Sequence, residues 1–445
     1  MDVEDSRTTL VSNDSPLGRV TSASTSTSPV KTKLLPCNAS RFASKLQGNA
    51  EVAALSLEGC LIGNEGVKAI ANMLRVNSNI ESLKLSDHSD NDPDEGHVEL
   101  AKALEENKTL KRLIVGSHGL GFESYRAFSL LFCTNNHIAD FSLSWSSMGN
   151  LGSTSFGMAL PSMRSLARLT FSHCDIGSEG AIAICLGLKE NKSLEKLDLK
   201  DNLICFRAGR AFGSMLAINE TLTSLFLDGN ELEDEGITSL LQGLSQNRVL
   251  EELGLNRTSI ADASAIAVGE IMELNTSALR KIFLGDNLIS DLGVQAIANG
   301  LLKNERVLEI DLSDNLIKDG GARSLAKALP KSVLEALTFR GNPVTIEGAH
   351  AILRGIEPNR YLTTMDIVAH PLSRNRSTYI DPSQAEAIQS AVEFFSMRNE
   401  VGWPLLQEAS SMSTAMWAVK LASISLKPDL LYFLLQQKPE LCKRE

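Results

Sequence analysis

Hydrophobic residues recur along most of the chain in one nine-residue pattern, L-x-x-L-x-L-x-x-N, in which the x positions are mostly polar. The pattern is clearest from Leu194 to Asn202, and it returns at Leu222, Leu279, Val307 and Leu334. Less regular copies start at seven further positions: Val52, Ile80, Leu110, Ile138, Leu166, Leu250 and Leu362. The twelve starts are 28 residues apart except for single intervals of 30, 29 and 27, so this part of the chain is built from repeats.

Each repeat predicts one short strand followed by one helix. Apolar positions 1, 4 and 6 predict a strand whose positions 3, 5, 7 and 8 face away from the core. Position 9, most often Asn, is the predicted turn residue, because a short polar side chain can satisfy backbone groups where a strand stops. An acidic step such as Asp234–Gly236 then precedes apolar residues at helical spacing, as in Ile237, Leu240, Leu241 and Leu244.

These repeats resemble the leucine-rich repeat of the ribonuclease-inhibitor-like class, which also forms part of nucleotide-binding immune receptors and of Ran GTPase-activating proteins. The resemblance extends from Val52 to His370 and implies an α/β fold, a right-handed horseshoe solenoid with a parallel inner sheet and outer helices. Packing favours the same stacking, because a lone strand and helix cannot bury their apolar faces. The resemblance implies that a protein partner binds the concave sheet.

Four segments are predicted along the chain. Residues 1–33 are rich in Ser and Thr and are expected to be a disordered tail, and residues 34–51 an N-terminal cap. The repeats occupy residues 52–370, as about 11–12 units, and residues 371–445 form a helical C-terminal cap region, with a helix start at Asp381–Gln384. Exposure of Trp403, Trp417 and Phe433 would instead favour an effector or dimerisation helix there.

The predicted partner-binding surface comes from positions 5, 7 and 8 of the strands, which face away from the helices. Aromatic residues without a packing role on that face, together with charges of mostly one sign, are typical of an interface for a basic protein. The candidate residues are Trp145, Asp198, Asp201, Phe226, Asp228, Arg257, Phe283, Asp286, Asp311 and Asp314.

Composition limits the class of molecule that the protein is expected to bind and the cell compartment in which it is expected to lie. A formal net charge of −11 argues against nucleic acid, whose phosphates require a basic face. Seven scattered cysteines without a C-x-x-C pair predict a reducing compartment. The N-terminal residues lack the pattern of a leader, and no apolar run reaches the roughly 18 residues of a bilayer span, so a cytoplasmic or nuclear protein without membrane contact is expected.

No catalytic, cofactor or metal motif is present. The sequence has no Gly-Lys dipeptide and hence no phosphate loop, and no H-E-x-x-H zinc motif. The acidic stretch Asp87–Gly96 is predicted to be an enlarged loop of the second repeat. It does not fit an EF-hand, because counting from Asp90 the required glycine would fall at Glu95 and the required bidentate glutamate at Ala101. At most a weak calcium site would remain at Asp90, Asp92 and Asp94.

The sequence therefore predicts a non-enzymatic scaffold for protein binding. One alternative is a Ran-type GTPase-activating protein. Such proteins carry a functional arginine in an enlarged early loop, and no arginine occurs here between Asp87 and Lys102. A second alternative is a regulator similar to ribonuclease inhibitor or to an immune sensor.

Overall fold

A computed structural model describes residues 30–31, 36–60, 62–87, 94–117, 120–367, 380–404 and 427–437. The chain divides into two compact units, which we call unit 1 (Met1–Asp175) and unit 2 (Ile176–Glu445). Most of the predicted N-terminal tail, residues 1–29, lies outside the described residues.

Unit 1 alternates strands and helices, and its strands pair in parallel in chain order. The strands are β1 (Val30–Lys31), β2 (Ala54–Glu58), β3 (Ser82–Asp87), β4 (Arg112–Ser117), β5 (Asp140–Ser144) and β6 (Arg168–Ser172). The helices are α1 (Pro36–Leu46), α2 (Gly63–Leu74), α3 (Glu95–Glu106), α4 (Phe122–Thr134) and α5 (Gly149–Ala159). Val30 and Lys31, which the sequence assigned to the disordered tail, pair instead with Leu55 and Ser56.

Unit 2 has the same organisation with shorter strands. The strands are β7 (Lys196–Asp198), β8 (Ser224–Phe226), β9 (Glu252–Gly254), β10 (Lys281–Phe283), β11 (Glu309–Asp311), β12 (Ala336–Thr338) and β13 (Thr364–Asp366). The helices are α6 (Ser178–Leu188), α7 (Gly209–Leu216), α8 (Glu233–Leu244), α9 (Asp262–Leu274), α10 (Asp291–Leu301), α11 (Asp319–Ala328), α12 (Ile346–Ile356), α13 (Pro382–Met397) and α14 (Pro428–Gln437).

Strand register follows the spacing of the repeats in both units. Ser82 pairs with Arg112 across the 30-residue interval, and Glu252 pairs with Lys281 across the 29-residue interval. Each extra residue is therefore absorbed outside the strands, and the apolar positions 1, 4 and 6 stay buried. The predicted α/β repeat fold with parallel strands and alternating helices is confirmed.

Unit 1 fills the space between its strands and helices with phenylalanine where most repeats use leucine. Phe141 of β5 lies with its ring centroid 4.7 Å from that of Phe132 and 5.9 Å from that of Phe156. All three rings are fully buried. Their large side chains bury more apolar area per residue than leucine does, which stabilises this part of the solenoid.

The asparagine at position 9 satisfies the backbone where each strand ends. Asn230 donates from Nδ2 to the carbonyl oxygens of Leu199, one repeat earlier, and Leu227, both at 2.9 Å. Its Oδ1 accepts from the backbone N–H of Ile204 at 3.1 Å. Asn287, Asn315 and Asn342 make equivalent bonds, as the sequence predicted for this position. One amide side chain thus joins two repeats.

A second series of asparagines, which the sequence reasoning missed, lies three residues before the strand pattern in most repeats. Asn219 donates to the carbonyl oxygen of Leu188 at 2.7 Å and accepts from the N–H of Leu222, also at 2.7 Å. The same arrangement recurs at Asn77, Asn107, Asn135, Asn247, Asn304 and Asn359. These side chains satisfy carbonyls at the end of the helix one repeat earlier, which have no partner inside that helix.

Carboxylates at the helix starts form a third link between repeats. Asp262 accepts from the backbone N–H groups of Ser290 at 2.8 Å and Gly293 at 3.0 Å, at the start of α10. Asp319 accepts from the N–H of Thr345 at 2.8 Å, before α12. These acids therefore satisfy N–H groups of the next helix, in addition to complementing a helix dipole.

The C-terminal end of the repeats is covered by α13. This helix starts where the sequence predicted, with Asp381 as the N-cap residue and a capping box that pairs Asp381 with Gln384. Just after this helix, the guanidinium of Arg398 donates to the carbonyl oxygens of Glu357 and Asn359, both at 2.7 Å. Burial lowers the pKa of Arg398. Trp403 and Phe433 are only partly exposed and pack edge to face, with ring centroids 5.3 Å apart, whereas Trp417 lies outside the described residues.

Replacing Asn230 with alanine is expected to lower the free energy of unfolding by about 2–4 kcal/mol. The substitution leaves two buried carbonyls without their amide donor, and each unpaired polar group costs about 1–3 kcal/mol. Urea unfolding followed by circular dichroism measures the loss. Gln242→Ala, on the exposed side of α8, is the control and should cost less than about 0.5 kcal/mol. Equal costs for both variants would contradict a structural role for the ladder.

Replacing Arg398 with methionine is expected to lower the free energy of unfolding by about 2–4 kcal/mol, because two charge-assisted bonds to carbonyls are lost. Arg354→Met removes an exposed arginine from α12 and is the matched control, expected to change stability by less than about 0.5 kcal/mol. Thermal and urea unfolding compare the two variants. A stable Arg398→Met protein would show that the helix packs without this anchor.

Candidate functional site

The candidate residues of unit 2 lie on one surface, which we call the acidic sheet face: positions 3, 5, 7 and 8 of the repeats that contain β7–β13. The carboxylates on it are Asp198, Asp201, Asp228, Glu252, Asp286, Glu309, Asp311, Asp314 and Asp366, and the cations are Lys196, Lys200, Arg257, Lys281 and Arg340. Nine carboxylates against five cations leave an excess of four negative charges at neutral pH.

Phe226 differs from the sequence expectation of an exposed aromatic ring, because only 8% of its surface is accessible. The Nζ atoms of Lys196 and Lys200 each lie 4.5 Å from its ring centroid, an arrangement in which ammonium groups are attracted to the ring face. The ring of Phe283, which is partly exposed, lies with its centroid 6.4 Å away. Phe283 is therefore the aromatic side chain on this face with surface available to a partner.

Gly254 makes room for this aromatic pair. It lies on β9, between the strands that carry Phe226 and Phe283. A Cβ atom at position 254 would lie 2.6 Å from Cδ1 of Phe226 and 2.5 Å from Oδ2 of Asp228, distances that neither neighbour tolerates without moving. The sequence reasoning noted the two phenylalanines and gave the intervening glycine no role.

Several of the predicted acids are held by cations of neighbouring repeats. Nη2 of Arg257 lies 2.7 Å from Oδ1 of Asp201, two repeats away, and the pair passes over Gly229. Nζ of Lys200 lies 3.5 Å from Oδ2 of Asp228. Asp228 is only 5% exposed, so little of its surface is available to a partner. Its other oxygen accepts from the N–H of Asn256 at 3.2 Å.

Asp198 and Asp311 are oriented by their own strands. Oδ1 of Asp198 accepts from the N–H of Lys200 at 3.1 Å, and Oδ1 of Asp311 accepts from the N–H of Ser313 at 2.9 Å. Burial, with a further contribution from the charge of Asp228, raises the pKa of Asp198 above its ordinary value. Asp198 therefore carries its negative charge at a cost to the folded state.

Position 8 adopts a left-handed backbone conformation in nine of the described repeats, a feature the sequence reasoning missed. Its φ angle is 52° at Asp201, 53° at Asp286 and 52° at Asp314. The other members are Gly59, Trp145, His173, Gly229, Arg257 and Gly341. The conformation lets the N–H of Asp286 donate to the carbonyl of Ser313 at 2.8 Å on the next repeat. A non-glycine residue costs about 1–2 kcal/mol in this region, so these side chains are held at some expense.

Trp145 is the candidate residue of unit 1, and 53% of its surface is exposed. Its indole stacks on the imidazole of His173, with ring centroids 3.9 Å apart and an interplanar angle of 8°. Nearby hydroxyl groups of Ser144 and Ser172 lie 3.1 Å apart. The sheet surface of unit 1 is thus aromatic and hydroxyl-lined at this edge, in contrast to the acidic sheet face of unit 2.

Asp94, one of the three acids of the possible calcium site, forms hydrogen bonds within the fold. Its Oδ1 accepts from the N–H of Gly121 at 2.5 Å and from the hydroxyl of Ser124 at 2.7 Å. Asp90 and Asp92 lie outside the described residues. Within the described parts of the chain, no group of three or more acidic, histidine or cysteine side chains is arranged to hold a metal ion.

Five cysteines do not form disulfide bonds: Cys60, Cys133, Cys174, Cys185 and Cys205. Burial raises the pKa of Cys174 to about 12, and burial also raises that of Cys185. Both thiols therefore stay protonated at neutral pH and are poor nucleophiles. Their role is packing inside the repeats.

None of the described helices combines the length and the apolar content that a membrane span needs. A family model described as Leucine Rich repeat matches residues 52–71, 162–185, 219–241 and 303–326. The chain is 26% identical over 261 residues to the ribonuclease inhibitor of Mus musculus, a stretch that covers 58% of this chain and 57% of that protein.

A second relative is the NACHT, LRR and PYD domains-containing protein 3 of Macaca mulatta, 26% identical over 274 residues, which are 54% of this chain and 26% of that protein. The chain thus spans from about a quarter to just over half of the length of these curated relatives. Among solved structures, it is similar to a chain of the "Crystal structure of Rad7 and Elc1 complex in yeast", with 16% identity and a TM-score of 0.44, covering 79% of this chain and 89% of that one.

The repeat period, the strand and helix in each repeat and the similarity to both curated relatives agree. The chain carries leucine-rich repeats and resembles proteins of the ribonuclease-inhibitor-like class.

Proposed function

We propose that the protein is a non-enzymatic scaffold that binds a basic protein partner through the acidic sheet face of unit 2. The carrying observation is the excess of carboxylates on this face beside the partly exposed ring of Phe283. An aromatic anchor surrounded by charge of one sign fits a partner with cationic side chains, because such a surface steers association and rejects acidic proteins.

The geometry of the acids supports this proposal. Backbone N–H groups orient Asp198 and Asp311, while Asp286 and Asp314 are held by left-handed backbone. Because these side chains are already positioned before a partner arrives, little conformational entropy is lost on binding. Asp201 and Asp228 are neutralised by Arg257 and Lys200, so these two acids contribute less to the attraction of a basic partner.

A regulatory role similar to that of the relatives belongs to this proposal as a refinement. The mouse relative is a ribonuclease inhibitor, and inhibition of the bound partner is the role that this similarity would suggest here. The Ran GTPase-activating alternative gains no support, because no arginine lies in the enlarged loop between Asp87 and Lys102. For compartment, we propose the reducing interior of the cell, in agreement with five cysteines that are not joined in disulfide bonds.

Neutralising Asp286, Asp311 and Asp314 together as asparagines should weaken partner capture at least about tenfold, because the charge that attracts a basic surface is removed. Asparagine keeps the hydrogen bond of Asp311 and tolerates the left-handed backbone of the other two, so the fold should persist. Affinity capture from native lysate, followed by binding measurements with the purified partner, measures the effect. Salt of about 0.5 M should reproduce it with the unmodified protein.

The control for this experiment changes the same number of charges elsewhere in unit 2. Glu220→Gln, Glu235→Gln and Glu270→Gln alter exposed acids outside the acidic sheet face, and this variant should bind normally. If both triple variants lose the partner equally, general charge rather than this surface is responsible. If neither loses it, the partner binds elsewhere and the proposed face is wrong.

Asp198→Asn should stabilise the protein at pH 7 while weakening partner binding. The folded state raises the pKa of Asp198, so the stability it contributes is greatest when it is protonated and is lost as the pH rises through the folded pKa. The neutral amide avoids that loss. The stability gain, measured by urea unfolding of both proteins, should shrink as the pH falls from about 7 to about 3.5. A gain that does not depend on pH would contradict this account.

A further inference from the structure

A depression of about 550 Å³ lies in unit 2 at the edge of the sheet where strands β9, β10 and β11 begin. Three arginines from successive repeats, Arg248, Arg280 and Arg306, line it together with Glu251 and Glu305. The lining therefore carries one net positive charge in a chain whose formal net charge is −11. We call this site the arginine depression.

The arginines in the depression are poorly matched by the nearby carboxylates. Arg248 and Arg306 make no ion pair within 4.0 Å of a carboxylate in the described part of the chain, and Nε of Arg280 lies 3.7 Å from Glu251. At the equivalent repeat positions of unit 1, Lys111 and Glu81 close to 2.7 Å. Nζ of Lys303, which is not among the lining residues, lies 3.0 Å from Glu273.

Only one of the three arginines interacts with the carbonyl groups at the end of a helix. Arg248 donates from Nη1 to the carbonyl oxygens of Ser245 at 3.1 Å and Asn247 at 3.4 Å, just after α8. Such contacts complement the negative end of a helix dipole. Arg280 and Arg306 make no comparable bond to a carbonyl among the described residues, and both are largely exposed, so their donors remain available to a ligand.

We propose that the arginine depression binds a phosphoryl group carried by a phosphorylated segment of a protein partner. A phosphomonoester has a charge of about −1.5 to −2 at pH 7 and three acceptor oxygens, which suits several guanidinium groups at once. A single carboxylate is satisfied by one arginine fork, and two carboxylates already stand in the lining without satisfying these three. The site is separate from the acidic sheet face and has the opposite charge preference.

The test uses the full-length protein and three synthetic probes. A fluorescein-labelled peptide of glycine and serine with one central phosphoserine is compared with its unphosphorylated form and with a form that carries glutamate at that position. Fluorescence anisotropy should show the phosphopeptide binding at least about tenfold more tightly than either comparison peptide. Inorganic phosphate should compete for the same site, but more weakly than an unlabelled phosphopeptide.

The double substitution Arg280→Ala and Arg306→Ala should lower the affinity for the phosphopeptide at least about tenfold. Arg323→Ala on the exposed surface of α11 is the control and should leave the affinity within about twofold, a change of less than 0.5 kcal/mol by the same scale. Circular dichroism of both variants checks that the repeats remain folded.

Three results would overturn the proposal. The first is equal binding of the phosphorylated and unphosphorylated peptides, and the second is unchanged binding by the folded double variant. The third is competition by inorganic phosphate at least as strong as that of the phosphopeptide, which would assign the site to free phosphate rather than to a phosphorylated segment.

Discussion

Backbone groups at the ends of each strand and helix impose the constraint on which this structure depends. When repeats stack in parallel, the carbonyls after one strand and after one helix become buried between neighbours, where an unpaired group is expensive. The side-chain amide of Asn230 hydrogen-bonds these backbone groups at the end of a strand, and that of Asn219 does so at the end of a helix. In each amide the nitrogen donates and the oxygen accepts. Because these bonds run from repeat to repeat, they fix the stacking as well as the turns.

A frame fixed in this way leaves the outward positions of the strands open to chemical variation. Gly254, on β9, leaves room beside it for the side chains of Phe226 and Asp228. Gly229 leaves room for the ion pair between Arg257 and Asp201, which lie two repeats apart. Gly229 also has a positive φ angle of 70°, which suits glycine, and both glycines leave room for contacts between strands. Their value lies in the lateral contacts that they permit, so the surface of unit 2 is organised across strands rather than along them.

The sequence predicted what depends on a single repeat and missed what depends on its neighbours. Apolar spacing was sufficient for the strands and their register, since intervals of 30 and 29 residues appear unchanged in the pairing of Ser82 with Arg112 and of Glu252 with Lys281. The burial of Phe226 could not follow from its position alone, because lysines of the preceding strand cover it. The asparagines three residues before the strand pattern, in contrast, recur in the sequence with the period of the repeats. They could have been found by extending the repeat pattern three residues toward the N-terminus.

Acidic residues in this chain have three physical roles, which composition alone does not separate. Asp94 and Asp262 satisfy N–H groups at the start of the helix in the next repeat, and Asp201 is paired with Arg257. Asp198 belongs to a third group, because the fold raises its pKa and so disfavours its charge. A carboxylate whose negative charge destabilises the folded state is better explained by an interaction with a partner than by a role in stability. The acidic sheet face is therefore a stronger candidate for function than the more acidic stretch around Asp90, whose described member, Asp94, is satisfied by the next repeat.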